Sequence, residues 1–401
     1  MRNLSKSKLL AYRQCPKRLW LEIHRRDLID LSASTQTTMA IGHQVGAIAR
    51  KIYDHEGCGH FLDLEQLGFY ELLAQSKTLV EEADVPLFEA GFSANGALAL
   101  ADILLPVNGG NERAWRMVEV KSSTSVKDYY RDDAAIQAYV ARAAGITLQS
   151  ISVAHIDNAW TYPGNGDYQG LLVEADLTQE AFARKAEVES WIIDAQAVAV
   201  STFEPELSTG EHCRKPHPCG FIDYCSKSEL AAEFPVSWLP NIRTKALRAF
   251  VAEGAADMRN VPDELLNEQQ LRVKNCTISQ ETYFDSEGAA NDLATHPLPG
   301  YFLDFETAMF AVPIWAGTRP YQQIPFQFSL HVLSTTGELL HQEFLDLSGD
   351  DPRLPFAQAL VDTCGVEGPI FVYNARFEKT RIKELADRFP DLRTRLLDIN
   401  S

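Results

Sequence analysis

Three consecutive segments with a period of two, joined by tight turns, constrain the fold of this chain more than any other feature. The segments cover 86–93, 97–105 and 114–121, and the turns contain Asn95-Gly96 and Asn108-Gly109-Gly110. Alternating apolar and polar side chains are typical of strands, and Asn-Gly favours a two-residue hairpin turn. The sequence therefore predicts three strands joined by tight turns.

Apolar residues at three- and four-residue spacing surround these strands and predict helices. The expected helices cover 7–23, 38–54, 65–82, 132–144 and 178–199, and further strands cover 150–156 and 168–175. We therefore expect a first domain of mixed helices and sheet over residues 1–228. Helical segments broken by prolines follow over 229–297 and indicate a connector rather than a second large core.

The last unit, 298–401, has its own order of predicted elements. Strands are expected over 301–307, 324–334 and 338–347, then a helix over 353–363, a strand over 369–374 and a helix over 376–388. This order resembles the opening of an RNase H-like fold. The fold class expected for the chain is α/β, with an RNase H-like second domain.

Charge is unevenly distributed along the chain. The 37 basic and 55 acidic residues give a net charge of −18, which argues against a polyanion binder held by charge alone. Residues 1–26 nevertheless carry eight Arg or Lys against the single acid Glu22, so we expect a local basic surface there. The sequence contains no apolar run of 18 residues and its start is charged, so we expect a cytoplasmic protein without membrane association.

Charged residues on two predicted strands form the first candidate site. Glu119 and Lys121 share one face of their strand, because side chains two residues apart point the same way. Asp102 interrupts an apolar run on the preceding strand. Asp102 and Glu119 can lie across from each other and bind Mg²⁺ or Mn²⁺ through oxygens, while Lys121 steadies an attacking water. The alternative is that Glu119 and Lys121 are ordinary solvent-exposed residues on a strand face.

The ordered set of Glu89, Asp102, Glu119-Val120-Lys121 and Gln137 resembles the PD-(D/E)XK nucleases. With the N-terminal segment LSKSKLLAYRQCPKRLWLE, it is similar to the RecB-like branch of that superfamily. Within that branch it is most similar to the iron–sulfur nucleases, such as AddB-type helicase-nuclease subunits and CRISPR-associated RecB-like exonucleases. The resemblance covers roughly residues 1–228.

This resemblance implies roles for individual residues. It implies that Asp102 and Glu119 bind the metal, that Lys121 is the catalytic lysine and that Gln137 is the glutamine of the helix motif. Glu89 matches an acid often found on the preceding strand. Those families often place a metal-binding histidine four residues after a helix glycine, whereas this chain has Gly46 four residues after Gly42.

Four cysteines form a second candidate site. The resemblance implies one cysteine ligand from before the nuclease motifs and three from after them, and Cys15, Cys213, Cys219 and Cys225 fit that order. Four thiolates suit an iron–sulfur cluster, here expected to be 4Fe-4S, and suit zinc equally. The gaps between the last three cysteines lack the Cys-x-x-Cys spacing usual for structural zinc. The alternative is that Cys15 is an ordinary small apolar residue on a helix face and that the other three cysteines have no role as ligands.

Asp304 and Glu306, in the segment YFLDFET, form a third candidate site. They share one strand face and can chelate the metal ions of a two-metal phosphodiesterase. The segment resembles the first motif of DnaQ-like DEDD exonucleases, and VYNARFEKTRI resembles the second, with Glu378 where an Asp is usual. LLDI at 396–399 resembles the approach to the third motif, whose last residues do not follow. We therefore expect this domain to be incomplete or inactive, although Asp304 and Glu306 can equally be ordinary surface acids.

The whole C-terminal unit also resembles an uncharacterised domain that accompanies RecB-like nuclease domains in bacterial proteins. The function expected for the chain is that of a metal-dependent DNA nuclease, an exonuclease in the related families. A binding or structural module with degenerate sites, serving a helicase or a defence complex, is the first alternative. An exonuclease with its main active centre in the DnaQ-like domain is the second.

Overall fold

A computed structural model describes residues 3–30, 33–107, 113–227, 229, 232–252 and 257–401. It contains two β-sheets and many helices, so the α/β class is confirmed. The chain forms two compact units. Unit 1 comprises Met1–Ile222, Glu306–Phe326 and Asp346–Leu354, and unit 2 comprises Asp223–Phe305, Gln327–Leu345 and Pro355–Ser401.

Unit 1 is built on a seven-stranded sheet. Its strands are β1 (Leu4–Ser5), β2 (His60–Phe61), β3 (Leu87–Ala94), β4 (Ala97–Val107), β5 (Ala114–Lys121), β6 (Leu148–Ile156) and β7 (Leu172–Asp176). The order is β2-β3-β4-β5-β6-β7, with β1 paired to β4. As predicted, β3, β4 and β5 are sequential antiparallel neighbours, and Asn95 and Gly96 adopt the positive φ of a hairpin turn. The turn predicted at Asn108-Gly109-Gly110 lies outside the described residues.

Eight helices accompany this sheet within the described residues. They are α1 (Lys6–Gln14), α2 (Pro16–His24), α3 (Ala33–Tyr53), α4 (Leu64–Leu67), α5 (Phe69–Glu82), α6 (Asp128–Ala143), α7 (Thr178–Ala183) and α8 (Lys185–Val200). Helix α6 connects β5 to the parallel strand β6. A ninth helix, α9 (Ile222–Ser226), begins at the end of this part of unit 1.

Three helices that the sequence predicts as continuous are each broken in two. The predicted helix over 7–23 ends at Gln14, because Pro16 favours an extended conformation at Cys15 and starts a new helix. The predicted helix over 65–82 breaks at Gly68, whose φ of 70° suits glycine. The predicted helix over 178–199 breaks at Arg184, where nothing in the structure explains the break.

A loop far along the chain completes the packing of unit 1. Ala311 and Val312 are buried against Ile48, Ile156 and Leu171, which come from α3, β6 and the loop before β7. The backbone of this loop also bonds to the segment between β6 and β7, since Thr318 O accepts a hydrogen bond from the N–H of Tyr162 at 2.9 Å. The sequence analysis assigned these residues to the C-terminal domain, whereas here they form part of unit 1.

Unit 2 contains the second sheet and the connector. Its elements are α10 (Lys245–Ala252), α11 (Glu268–Ser279), α12 (Ser286–Ala294), β8 (Gly300–Ala308), β9 (Ile324–Leu333), β10 (Leu339–Leu345), α13 (Arg353–Thr363), β11 (Ile370–Phe371), α14 (Ala375–Arg388) and α15 (Arg393–Ile399); β8, β9 and α13 extend into residues of unit 1. The sheet order is β10-β9-β8-β11, with β11 parallel to β8. The predicted order of three strands, a helix, a strand and a helix is confirmed. The connector has a small core of its own around Leu247 and Met258.

Within the described residues, no helix is long and apolar enough to cross a membrane.

We predict that Val312→Asp lowers the free energy of unfolding by about 3 kcal/mol or more, because it places an unpaired carboxylate in the packed interior of unit 1. Urea unfolding measures the change. The control is Val366→Asp, since Val366 is 80% exposed and its replacement should change stability by less than about 0.5 kcal/mol. Equal stability of the two variants would show that the loop is not part of this core.

Candidate functional site

Three adjacent strands of unit 1 bring three carboxylates into a row. In the β3–β4 ladder Glu89 and Asp102 lie between the paired residues Phe88–Ile103 and Ala90–Ala101, and Glu119 follows Val118, the β5 partner of Ile103. Asp102 is held by the backbone, because its Oδ2 accepts a hydrogen bond from the N–H of Val120 at 2.7 Å. Glu89 has a φ of 59°, which is unusual for a residue with a side chain within a strand.

Helix α6 covers this row with two polar side chains one helical turn apart. Asp133 and Gln137 are both buried, and Gln137 donates hydrogen bonds to Glu119 Oε2 and, at 3.3 Å, to Asp133 Oδ1. Glu119 itself is only 1% exposed, so it does not lie on a solvated strand face. The other amide atom of Gln137, its Oε1, is buried and has no hydrogen-bond partner among the described residues. A buried acceptor of this kind is costly unless it receives a proton donor or a cation.

Two lysines converge on the same acids. The Nζ atom of Lys121 lies 2.6 Å from Glu119 Oε1 and 2.6 Å from Asp133 Oδ2. The Nζ atom of Lys6 lies 2.6 Å from Glu119 Oε1 and 3.2 Å from Asp133 Oδ1. We call the seven residues together the carboxylate–lysine site: Lys6, Glu89, Asp102, Glu119, Lys121, Asp133 and Gln137.

The charges of this site do not balance. Four carboxylates face two ammonium groups, which leaves a formal charge of −2 when all are ionised. Arg50 also acts on Glu89, but less strongly than Lys6 does. An uncompensated charge away from bulk water is unfavourable. The site therefore favours an additional proton or cation.

The pKa values reflect the same imbalance. Burial and the neighbouring carboxylates of Asp102 and Asp133 raise the pKa of Glu119 to about 7, against the opposing effect of the two lysines. Burial also raises the pKa of Asp102 and that of Glu89. Burial would do the same to Asp133, but the two ammonium groups hold its pKa well below the usual range. Asp133 is thus the acid that pairs firmly with the lysines, and Glu119 is the one left in excess.

The structure brings together every residue that the sequence assigned to the nuclease site, namely Glu89, Asp102, Glu119, Lys121 and Gln137. Sequence reasoning missed Lys6 and Asp133. Asp133 precedes Gln137 by four residues, and that spacing places both on one helix face, so it gave a signal that could have been used. Lys6 gave none, because it lies 113 positions from the glutamate that it contacts.

Two other expectations concern the N-terminal half of unit 1. No histidine stands at the motif position, which is Gly46, and the neighbouring His43 is exposed on α3. The expected basic surface at the start of the chain is largely neutralised. Of the seven basic residues between Lys6 and Arg26, six form ion pairs in the described part of the chain, namely Lys6, Lys8, Arg13, Lys17, Arg18 and Arg25.

Three of the four predicted cysteine ligands lie near one another in unit 1. Cys15, Cys213 and Cys219 are all buried. Burial raises the pKa of the Cys219 thiol, and the thiols of Cys15 and Cys213 add to the increase, so the three sulfur atoms are close enough to interact. Cys225 is half-buried in α9 and belongs to unit 2.

The loop that carries these cysteines is tied to the end of α1. The amide of Gln14 donates to the carbonyls of His212 at 2.7 Å and His217 at 2.8 Å. The N–H of Cys219 donates to Cys213 O at 2.8 Å, which closes the loop on itself. The break at Pro16 places Cys15 at the start of α2, where its Sγ accepts from a backbone N–H. The helix break therefore turns Cys15 toward the loop.

In unit 2, a small cavity beside β8 has two acids in its lining. Glu378 is buried on α14, and its Oε2 lacks a hydrogen-bond partner among the described residues. Burial raises the pKa of Glu378, and the carboxylate of Asp304 raises it further. Glu378 and Asp398 line a cavity of about 210 Å³. Asp304 and Glu306 both lie on the exposed face of β8, as predicted, but Glu306 is counted in unit 1.

No ready-made metal cage is present in the described parts of the chain, since no three His, Cys, Asp or Glu side chains converge as they would around an ion. The donor set of the carboxylate–lysine site nevertheless fits a hard divalent cation. It offers carboxylate oxygens, an orphaned amide oxygen and an unbalanced negative charge. In the structure the two lysine ammonium groups stand beside the carboxylates.

Comparison with known proteins bears on the C-terminal part of the chain. Residues 301–401 match a domain of unknown function, DUF2779, which begins in β8 and ends after α15. No curated protein matches the chain.

We predict that Glu119→Gln weakens the pH dependence of stability in metal-free protein. The pKa of Glu119 rises from 4.5 in the unfolded chain to about 7 in the native one. The native state therefore binds the extra proton, and its stabilising effect is present below pH 4.5 and is lost as the pH rises through about 7.

Urea unfolding in a chelator at about pH 5 and pH 8 measures this change. The loss of stability between the two should shrink in Glu119→Gln by on the order of 1–3 kcal/mol, whereas Glu65→Gln, at an exposed glutamate, should behave as the wild type. An unchanged pH dependence in Glu119→Gln would contradict the charge analysis.

Proposed function

We propose that the protein is a metal-dependent nuclease that hydrolyses phosphodiester bonds in DNA, with its active centre at the carboxylate–lysine site. The observation that carries this proposal is the buried charge imbalance, in which four carboxylates face two ammonium groups. One divalent cation would neutralise it. Cytoplasmic location is part of the same proposal.

The order of elements in unit 1 supports this assignment. A helix, three antiparallel strands, a crossover helix and a parallel strand follow one another from α5 through β6, and the acids lie on the strands as in the PD-(D/E)XK nucleases that the sequence resembles. The sheet order β10-β9-β8-β11 of unit 2 likewise supports an RNase H-like domain.

The residues divide the chemistry among them. Asp102 and Glu119, with Mg²⁺ or Mn²⁺ as the ion, would form the metal site, and the ion supplies the activation of water and of the phosphate. Gln137 fixes one oxygen of Glu119, and Glu89 adds negative charge behind Asp102. Lys121 holds an ammonium group beside Glu119, where it can stabilise the charge that develops on the phosphate during attack. Asp133 keeps that ammonium group charged and oriented.

The thiols of unit 1 support a structural metal centre. Cys15 comes from the start of the chain and Cys213 and Cys219 from about 200 residues later, so a cluster that joined them would cross-link the ends of the nuclease domain. We propose a 4Fe-4S cluster at these cysteines, with zinc as the alternative.

A second candidate function rests on Glu378. Its buried carboxylate oxygen, which has no hydrogen-bond partner among the described residues, is near Asp304 and supports a DnaQ-like exonuclease centre in unit 2. A binding module for a helicase or defence complex needs no such acids. We place the carboxylate–lysine site first, because it already holds an ordered lysine and glutamine.

We predict that Asp102→Asn and Lys121→Met each reduce Mn²⁺-dependent DNA cleavage at least about 100-fold, because one removes a ligand charge and the other removes the ammonium group beside the reacting phosphate. The assay is run in an Asp304→Ala background, so that unit 2 does not contribute. Lys127→Met, at an exposed lysine six positions after Lys121, is the control and should retain full activity. Wild-type rates in both site variants would refute the assignment.

We predict that anaerobically purified protein is brown and absorbs visible light, as an iron–sulfur cluster does. Cys219→Ser should lose the colour and unfold at a lower temperature, because the cross-link between distant segments is lost. Cys58→Ser, at an exposed cysteine, should keep both properties. Colourless protein with stoichiometric zinc would support the zinc alternative instead.

A further inference from the structure

Lys6 lies near the start of the chain, whereas the other six residues of the carboxylate–lysine site lie between positions 89 and 137. It is the first residue of α1, which follows directly on the short strand β1. Leu4 in β1 pairs with Ala97 of β4, and Ser5 caps the helix, so the backbone of Lys6 is fixed against the sheet that carries Asp102. The side chain of Lys6 extends from this fixed backbone to the carboxylates of Glu119 and Asp133.

Both oxygens of Glu119 already have partners in the structure. Oε1 accepts from the ammonium groups of Lys6 and Lys121, and Oε2 accepts from Gln137. A carboxylate oxygen accepts from two such partners, so a cation that binds Glu119 through Oε1 must displace one of the two ammonium groups. Retaining both ammonium groups beside a divalent cation would crowd like charges together.

Lys6 is the donor best able to leave. Its ammonium group also contacts Asp133 Oδ1 at 3.2 Å, so it can release Glu119 and remain paired. Lys121 is held at 2.6 Å by both acids and projects from a central strand, where it has less freedom. Gln137 is completely buried, and moving its amide would leave further polar atoms unpaired.

We propose that Lys6 is an internal competitor of the divalent cation. In the metal-free protein its ammonium group occupies Oε1 of Glu119, and when the cation binds it withdraws to Asp133 alone. This inference rests on the proposed function, because it assumes that the cation uses Glu119. Lys6 thus sets the affinity for the metal rather than taking part in the reaction.

The proposal predicts how metal affinity responds to the charge at position 6. A neutral residue leaves the site with a formal charge of −3 and without the competitor, so the cation should bind more tightly. An arginine keeps the charge and the competition. A structural role for Lys6 predicts the opposite, namely that its loss weakens metal binding by disturbing the acids.

The test is Mn²⁺ binding to the full chain in the absence of nucleic acid, measured from the electron paramagnetic resonance signal of free Mn²⁺. Lys6→Met should lower the Kd at least about tenfold, which corresponds to about 1.4 kcal/mol. Lys6→Gln, which retains a hydrogen-bond donor, should change the Kd in the same direction. Lys6→Arg should bind no more tightly than the wild type.

Lys8→Met is the matched control, because Lys8 lies two residues later on the same helix and pairs with Glu22 instead. It should bind Mn²⁺ as the wild type does. Asp102→Asn should abolish the binding in every background, which assigns the measured Mn²⁺ to this site. Thermal unfolding of each variant verifies that it is folded.

Two failures can be told apart. Equal or weaker Mn²⁺ binding by folded Lys6→Met and Lys6→Gln, with binding by the wild type intact and dependent on Asp102, would overturn the role of Lys6 and leave the proposed function standing. Absence of Asp102-dependent binding in the wild type and in all Lys6 variants would overturn both.

Discussion

The buried carboxylate of Glu119 is the constraint on which the organisation of unit 1 depends. It lies on a central strand, is 1% exposed, and cannot stay ionised there without partners. Its partners come from β5 and α6, which are neighbours in sequence, and from α1, where Lys6 lies 113 positions away. Removing one member of such a buried network typically costs about 3–5 kcal/mol, so these contacts also hold the helices to the sheet.

The same contacts explain the division of roles among the acids. Asp133 sits between two ammonium groups and is held ionised, whereas the pKa of Glu119 is raised because the positive charge available is insufficient for both. A buried site whose negative charge is only partly compensated does not favour the folded state by itself. It is well suited to receive a cation, since binding then removes an electrostatic cost that folding has already incurred.

Much of this arrangement could be predicted from the sequence, because its signals are local. The alternation in 114–121 fixed which side Glu119 and Lys121 share, and the hairpin turn fixed the neighbourhood of Asp102. Gln137 was predicted from the resemblance of the sequence to a family motif. The contact of Lys6 could not be predicted, because it depends on how β1 pairs with β4, and a two-residue strand leaves no periodic signal. The packing of Val312 into unit 1 could not be predicted for a similar reason, because Val312 lies in a loop whose apolar residues have no regular spacing.

The central claim is that the excess negative charge beside Glu119 is a divalent-cation site. A crystal structure of the full chain grown with Mn²⁺, with anomalous diffraction recorded at the manganese edge, tests it most directly. Our account predicts an anomalous peak in contact with the carboxylates of Asp102 and Glu119, and the ammonium group of Lys6 displaced from Glu119. A map without a peak there at saturating Mn²⁺, with both lysines still bonded to Glu119, would contradict it.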